Sequence, residues 1–273
     1  MPAATDLHAF ARQIQQAQDE SRQITPFTSQ HSDFDVAAGY AVADLIHQAR
    51  GQAGAVSVGR KIGYTNPDLW PRFGISDPVW AHVYNHTVVH VRGQAQTCSI
   101  GKLLAPKIEP EIVFHFHAAP PPNGSLAEIL ACVDWVAPGF EIVHAHYPDW
   151  KLQVADALAD GTLHAMLLVG DPQPVDRLGA DFIAALERFS LALSCNGTLR
   201  ESGTGAAVLG SPLAAIAQLM AVLAKQPQTL PLQANELVTT GTITNAQLLH
   251  AGETWCMEIQ GIALPNLCVE FTP

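Results

Sequence analysis

The sequence is poor in charged residues, and above all in positive ones. Only 14% of residues are charged, and 14 Lys and Arg stand against 25 Asp and Glu, so the net charge is -11. Such a surface repels phosphate backbones and anionic membranes, and we expect neither nucleic acid nor membrane as a partner. It also repels small carboxylates at long range, so an anionic substrate needs a local positive charge such as a bound cation.

Long apolar runs and paired cysteine motifs are also missing. The longest apolar stretch, about Pro212 to Ala224, is too short to span a membrane and predicts a buried helix. The first twenty residues lack the basic flank and apolar core of a signal peptide, so we expect a cytoplasmic protein. The five cysteines include no C-x-x-C pair, which predicts reduced, mostly buried thiols: Cys98, Cys132, Cys195, Cys256 and Cys268.

The hydrophobic pattern changes once along the chain. Helical spacing predicts helices over about 6–22 and 35–50, and from Ala55 onward short β-like runs dominate, broken by Gly, Pro and an Asn196-Gly197 hairpin turn. This order predicts an α+β protein of one domain. We expect a helical segment over 1–54 to pack on a β-rich catalytic core over 55–273.

Two acidic residues lie on one face of a predicted strand. In KIEPEIVFHFH, alternation places Glu109 and Glu111 together, with His115 and His117 further along the same face. Neighbouring carboxylates repel unless water or a cation lies between them, so the pair indicates either a solvated strand face or a hard-metal site. Glu141 lies in the apolar segment GFEIVHAH, where an isolated carboxylate needs a partner. An all-oxygen trio of this kind suits Mg2+ or Mn2+.

The twelve histidines leave a second metal hypothesis open. The pairs His115/His117 and His144/His146 could form a separate zinc or iron site, because zinc ligands need no single spacing. His115 lies about 13 Å along the strand from Glu111, too far to share an ion with it. The alternative is that these histidines are hydrogen-bonded in the core or face solvent.

Two further segments contain candidate site residues. Lys61 is the only lysine in the first hundred residues and follows a predicted strand, so it is either a surface charge or a cation that contacts substrate and moves protons. In SGTGAAVLGSPLAAIAQL, Ser211 precedes a predicted helix. It either caps a core helix or belongs to an anion-binding helix start.

Several segments, in chain order, resemble the fumarylacetoacetate hydrolase superfamily. They are KIGYTN at Lys61, KIEPEIVF at 107–114, Glu141 followed by DWKLQVADALADG, GTGAAVLGSPLAAIAQL at 203–219, and ELVTTGT near 240. The similarity runs from about residue 35 to 271, and the branch of 2-oxopent-4-enoate hydratases and 4-oxalocrotonate decarboxylases is the most similar. It implies a mixed β-sandwich roll preceded by a helical segment, in a homo-oligomer of two or more chains.

The resemblance also implies roles for particular residues. Glu109, Glu111 and Glu141 would hold one Mg2+ or Mn2+, and Lys61 would be the active-site lysine. Lys61 and Asp160 would handle protons, while the substrate-binding residues would be Thr242, Gly241 and Ser211. The substrate would be a small 2-hydroxy-2,4-dienoic or 2-oxo-4-enoic acid, hydrated through a stabilised enolate to a 4-hydroxy-2-oxo acid.

The chain departs from the family pattern at positions that bear on its function. Hydrolases of the superfamily place a lysine where this chain has Asp160-Gly161-Thr162, which favours the hydratase and decarboxylase branch. Many hydratases have an aspartate where this chain has Val79. The alternatives are therefore a decarboxylase of 2-oxo diacids such as 4-oxalocrotonate or oxaloacetate, and a non-catalytic partner of a sister enzyme.

Overall fold

The computed structural model describes residues 2–93, 96–226 and 228–273. Its helices are short except for the first two and the last. In chain order they are α1 Ala4–Asp19, α2 Val36–Gln52, α3 Trp70–Phe73, α4 Leu126–Leu130, α5 Val154–Ala159, α6 Phe182–Arg188 and α7 Pro212–Ala224.

The strands form two sheets. In chain order they are β1 Ser57–Gly63, β2 Val79–Tyr84, β3 Val88–His90, β4 Gln96–Ser99, β5 Lys107–Phe116, β6 Val133–Val143, β7 His164–Val169, β8 Gln173–Pro174, β9 Ser190–Cys195, β10 Thr198–Thr204, β11 Leu237–Thr239, β12 Gln247–Leu248, β13 Thr254–Gln260 and β14 Leu267–Thr272. The larger sheet has the order β2-β1-β11-β5-β6-β7-β3, with β12 paired to β5 and β8 to β6, and the smaller has the order β10-β9-β13-β14-β4. Because β1–β11 and β3–β7 are parallel while β5–β6 is antiparallel, the larger sheet is mixed.

The main core joins both sheets and α7. Ile108 and Phe114 of β5, Met257 of β13 and Ile216 of α7 are fully buried and belong to one apolar cluster. The alternating side chains of β5 therefore divide into a core face, with Ile108 and Phe114, and the opposite face with the two glutamates. Burial of the first face fixes the direction of the second.

The N-terminal helices pack on α5, which precedes Asp160. Gly39 of α2 lies so close to α5 that a Cβ atom at this position would be 2.5 Å from the Ala155 carbonyl oxygen. A second buried apolar cluster joins α1, α2 and α5, with Ile14, Val42 and Ala159 among its members. The α+β class is confirmed, while the division into 1–54 and 55–273 stays a prediction.

Most predicted elements are present with shifted ends. The helices expected over 6–22 and 35–50 span Ala4–Asp19 and Val36–Gln52. The Asn196-Gly197 turn has the positive φ angles of 50° and 76° expected of a tight hairpin. The strand expected near Glu141 begins much earlier, at Val133, because β6 continues through Pro138 and Gly139.

The expectation for the cysteines was wrong for one pair. Cys256 and Cys268 lie directly opposite each other on the antiparallel strands β13 and β14, with Cα atoms 4.1 Å apart, and form a disulfide. Cys98, Cys132 and Cys195 are free thiols. A scattered spacing in sequence does not reveal this pair, because only the register of the two strands brings the sulfur atoms together.

The apolar helix α7 is a core element. In the described part of the chain, Gly205–Ala224 is the one stretch long and apolar enough to cross a membrane by length and composition, and half of its most apolar window is buried in the fold. Leu213, Ile216 and Leu219 belong to the main core. The prediction of a buried helix is confirmed.

Candidate active site

The register of β5 and β6 brings the three predicted carboxylates together. Glu109 lies directly opposite Glu141, and Glu111 lies opposite Gly139. One potential ligand atom from each glutamate lies within 4.8 Å of the others. Glu111 and Glu141 are fully buried, whereas Glu109 is partly exposed. Of the two interpretations of the pair Glu109 and Glu111, a solvated strand face is therefore excluded for Glu111, and Glu141 lies in the apolar setting expected for it.

Glu111 is held by the loop that follows β11. Its Oε2 atom accepts hydrogen bonds from the Thr239 hydroxyl and, at 2.8 Å, from the Gly241 backbone N–H. Gly241 has a φ of +97°, and a Cβ atom there would lie 2.4 Å from Thr65 Oγ1, so only glycine fits. The other oxygen of Glu111, Oε1, is buried without a partner in the described structure. An unpaired buried carboxylate oxygen is what an open metal site provides.

Glu141 contacts two cationic or polar groups. His164 Nδ1 lies 2.8 Å from Oε1, and Lys61 Nζ lies 3.0 Å from Oε2. The opposite ring nitrogen of His164 lies 2.9 Å from the Thr87 hydroxyl, which fixes the ring. Sequence reasoning missed both His164 and Thr239, because nothing in their local pattern marks them. Their pairing with Glu141 and Glu111 depends on contacts between distant segments.

The carboxylates and Lys61 shift one another's proton affinity. Burial disfavours a charged Lys61, but Glu141, Glu109 and Glu111 outweigh this effect and raise its pKa. Burial raises the pKa of Glu109 to about 7 and that of Glu111 well above its usual value, with repulsion among the carboxylates adding to both. Burial also opposes ionisation of Glu141, yet Lys61 and His164 lower its pKa. One ammonium therefore faces three carboxylates, two of them fully buried, an excess of negative charge that a divalent cation would neutralise.

Lys61 is fixed by groups on both sides. It is 3% exposed, and its Nζ donates a hydrogen bond to the Thr162 carbonyl oxygen at 3.1 Å. A Cβ atom at Gly63 would lie 3.4 Å from Val79 Cγ2 and 3.8 Å from Lys61 Nζ. Val79 thus forms an apolar wall near the ammonium, where many hydratases have an aspartate.

Asp160 lies in a separate buried pair. Its Oδ2 atom is 2.8 Å from His146 Nδ1, and its Oδ1 atom accepts a hydrogen bond of 2.8 Å from Gln18 of α1. His146 Nε2 is buried without a partner in the described structure. Asp160 therefore acts with His146, and Lys61 is paired with Glu141.

The remaining predicted residues lie in structural contacts. The Thr242 hydroxyl donates to the Thr244 carbonyl oxygen at 2.9 Å. Ser211 caps α7, since its hydroxyl accepts a hydrogen bond from the Ala214 N–H at 3.1 Å. Substrate binding by Thr242 and Ser211 stays a prediction, and Gly241 contributes its N–H to Glu111.

The histidine hypothesis finds no support in the geometry. Within residues 2–93, 96–226 and 228–273, the three glutamates are the only group of three His, Cys, Asp or Glu residues close enough to share an ion. His115 stacks on Trp135 and pairs with Asp134 at 2.6 Å. Its ring is satisfied by these neighbours.

A large cavity lies next to the carboxylate trio, on the side of His164. It has a volume of about 1440 Å³ and is lined by α2, β2 and the end of α7, with Asp160, Gly161 and His164 on one wall. None of the three glutamates lines it. The concentrated charge and the unpaired oxygen lie at the carboxylate trio, and this cavity is adjacent to it.

The model of the fumarylacetoacetate (FAA) hydrolase C-terminal family matches residues 71–269 of this chain. The chain belongs to this family. The matched range begins in α3 and ends in β14, so it includes the three glutamates and leaves Lys61 outside.

Relatives in the family include hydratases and decarboxylases. The 2-keto-4-pentenoate hydratase of Paraburkholderia xenovorans is 28% identical over 253 residues, covering 92% of this chain and 90% of the relative. The 2-hydroxypent-2,4-dienoate hydratase of Pseudomonas putida is 30% identical over 216 residues, covering 79% and 94%. The 4-oxalocrotonate decarboxylase of Pseudomonas putida is 28% identical over 255 residues, covering 93% of each chain.

Solved structures support the fold. The 4-oxalocrotonate decarboxylase from Pseudomonas putida G7, complexed with magnesium and adipate, has a TM-score of 0.87 at 24% identity over 99% of both chains. The fumarylpyruvate hydrolase from Pseudomonas aeruginosa, in complex with Mn2+ and pyruvate, has a TM-score of 0.56 at 14% identity, covering 78% of this chain and 88% of that one. These similarities establish the shared family fold.

Proposed function

We propose that this protein is a divalent-metal-dependent hydratase that converts 2-hydroxy-2,4-dienoates, or their 2-oxo-4-enoate tautomers, to 4-hydroxy-2-oxo acids. The observation that carries the proposal is the carboxylate trio Glu109, Glu111 and Glu141 beside Lys61, in a chain whose relatives include hydratases of this substrate class. A non-catalytic role does not account for three mutually repelling carboxylates, two of them fully buried.

The residues of the trio fit a hard divalent cation. They offer only oxygen ligands, and Glu111 Oε1 is free of protein partners in the described structure. We infer that Glu109, Glu111 and Glu141 hold Mg2+ or Mn2+. Such an ion supplies Lewis-acid chemistry, which stabilises enolate charge on a 2-oxo acid.

The protein's own groups orient the site and handle protons. Thr239 and Gly241 fix one oxygen of Glu111, and His164 fixes one oxygen of Glu141, so the carboxylates are held in place before substrate binds. Lys61, held by Glu141 and the Thr162 carbonyl, is the cation and proton donor nearest the trio. Asp160 and His146 form a second acid/base pair with one ring nitrogen still free in the described structure.

A decarboxylase of 2-oxo diacids is the second candidate. The apolar Val79 near Lys61 favours it, since many hydratases have an aspartate at this position. A diacid needs a further cation for its second carboxylate. Arg60 is paired with Glu236 at 3.2 Å and Arg72 lies beside Phe73. Lys107 shares the strand face of Glu109, with its Nζ 3.9 Å from the Trp150 ring centroid.

The deciding experiment follows 2-hydroxypenta-2,4-dienoate and 4-oxalocrotonate separately by ultraviolet absorbance, with Mg2+, with Mn2+ and after chelation. A chelator-sensitive product one water heavier than its substrate would support the hydratase, and release of CO2 would support the decarboxylase.

Glu109→Gln should abolish turnover and metal binding. Glu258→Gln, on an exposed strand position, is the matched control. Full activity of the Glu109→Gln variant would contradict the proposal.

A further inference from the structure

Tyr64 has an unusual backbone conformation directly after β1. Its φ is 57°, in the left-handed region that bulky residues rarely adopt. The Trp70 indole N–H donates to the Tyr64 carbonyl oxygen at 2.7 Å, and the Leu209 N–H donates to the Thr65 carbonyl oxygen at 3.1 Å. The turn is therefore held by a contact six residues along the chain and by one from the distant Leu209, and supporting contacts of this kind let such a conformation persist at functional sites.

The residues on both sides of Tyr64 contact the carboxylate site. Thr65 packs against Gly241, whose N–H binds Glu111. Gly63 lies on the other side of Tyr64, and a Cβ atom at this glycine would be 3.8 Å from Lys61 Nζ. Tyr64 thus lies in the turn that joins the lysine side of the site to the Glu111 side.

Within the part of the chain that the structure describes, the Tyr64 hydroxyl differs from those of the other tyrosines. It makes no hydrogen bond within the described residues. The hydroxyls of the other three tyrosines are all hydrogen-bonded: Tyr40 with the Trp80 N–H, Tyr84 with His47 and Tyr147 with the Asp156 carbonyl.

The ring of Tyr64 is fixed although its hydroxyl is free. It meets the Phe73 ring edge-on, with centroids 5.0 Å apart at 82°. It also packs against the apolar cluster that contains Val79. A rigid ring with a free hydroxyl is suited to binding a ligand.

The surroundings keep this hydroxyl protonated. Burial raises the pKa of Tyr64 to about 12, while Lys61 and Glu109 act on it with opposite signs. At neutral pH the phenol is a hydrogen-bond donor and not a base.

We propose that Tyr64 is a substrate-binding residue that donates a hydrogen bond to an oxygen at the distal end of the 2-oxo acid. The inference rests on the proposed function, and specifically on the 2-oxo acid site common to its two candidates, in which a cation on the carboxylate trio, together with Lys61, would hold the 2-oxo carboxylate end. We expect the protein to bind acids with a distal carboxylate or other oxygen more tightly than acids of equal length with an alkyl end.

The test compares 2-oxoadipate with 2-oxohexanoate, which have equal chain length and differ in the distal carboxylate. Binding is measured by calorimetry with Mg2+ for the full chain and for Tyr64→Phe. We expect the variant to lose about tenfold in 2-oxoadipate affinity, the worth of one hydrogen bond to a charged acceptor, and to bind 2-oxohexanoate as before. Mg2+ affinity and Tm should be unchanged, because the hydroxyl has no protein partner within the described residues.

Tyr40→Phe is the matched control, since Tyr40 packs on the same apolar cluster but its hydroxyl accepts from Trp80. It should leave 2-oxoadipate affinity unchanged. Equal affinity of Tyr64→Phe and the unmodified protein for 2-oxoadipate would overturn the inference alone. Failure of the unmodified protein to bind either acid in the presence of Mg2+ would overturn the proposed function and this inference with it.

Discussion

Individual residues at the carboxylate site divide into those that hold the trio and those that face it. Thr239 and Gly241 bind one oxygen of Glu111, and His164 binds one oxygen of Glu141. Hydrogen bonds of this kind orient metal ligands and commonly affect metal affinity as much as the reaction itself. The contribution of each can be measured, because the chain offers close neighbours with different partners.

Thr239→Val should lower Mg2+ affinity by about 10- to 100-fold, because it removes a hydroxyl that orients Glu111. Thr240→Val is the control: both threonines are fully buried, but the Thr240 hydroxyl donates to the Ile112 carbonyl oxygen. Calorimetric titration with Mg2+ distinguishes them. Equal losses in the two variants would mean that the effect is general destabilisation.

Lys61→Met should reduce turnover by about 100-fold or more, the usual worth of a positioned proton-transfer group. Mg2+ affinity should be kept or increased, because Lys61 is the cation that competes for Glu141. Steady-state kinetics and metal titration on one sample separate the two effects. Turnover close to that of the unmodified enzyme would remove Lys61 from the chemistry.

At the scale of elements, the packing of α2 on α5 supports the buried pair of Asp160 and His146. Gly39 allows the close approach, since a side chain there would meet the Ala155 carbonyl at 2.5 Å. Gln18 of α1 adds a hydrogen bond to Asp160. The N-terminal helices thus help to position residues beside the site.

Gly39→Val should destabilise the protein by about 1–3 kcal/mol, the usual cost of overpacking. Gly51→Ala, in the same helix with nothing within 4 Å, should be neutral or stabilising by up to about 1 kcal/mol. Urea unfolding midpoints measure both. A neutral Gly39→Val would show that the helices can separate without cost.

The disulfide between β13 and β14 gives another prediction at this scale. Thiol titration of the denatured, unreduced protein should find three free thiols, and reduction should raise the number to five. The double variant Cys256→Ala/Cys268→Ala should have a free energy of unfolding lower by about 3 kcal/mol, the loop-closure contribution of a disulfide that closes a short loop. Cys132→Ala, at a free thiol, is the control. Five thiols before reduction would contradict the pairing.

For the whole molecule, metal binding and stability are coupled to pH. The pKa of Glu109 is raised from 4.5 to about 7 in the folded protein without metal. A carboxyl group whose pKa is higher in the folded than in the unfolded protein stabilises the fold at pH values below its unfolded-state pKa. This stabilisation is lost as the pH rises through the folded-state pKa. Because a cation must displace this proton, its affinity should increase over the same range.

We therefore expect the rise in Tm caused by Mg2+ to grow between about pH 5 and pH 8. Thermal melts with Mg2+ and with chelator across this range measure it. Glu109→Gln, which lacks a metal ligand, should show no Tm rise with Mg2+ at any pH in this range. A Tm rise that is constant with pH would mean that Glu109 is ionised throughout.

The sequence alone determined the α+β class, the two N-terminal helices and the face of β5 that presents Glu109 and Glu111, because hydrophobic periodicity is a local property. It also identified Lys61 and Glu141 as candidates from their local sequence context, and the family resemblance assigned their roles. Only the tertiary structure decided that Glu141 lies opposite Glu109, that His164 and Thr239 hold the carboxylates, and that Cys256 meets Cys268. These contacts depend on strand register and on segments far apart in the chain, and no local pattern encodes such pairings.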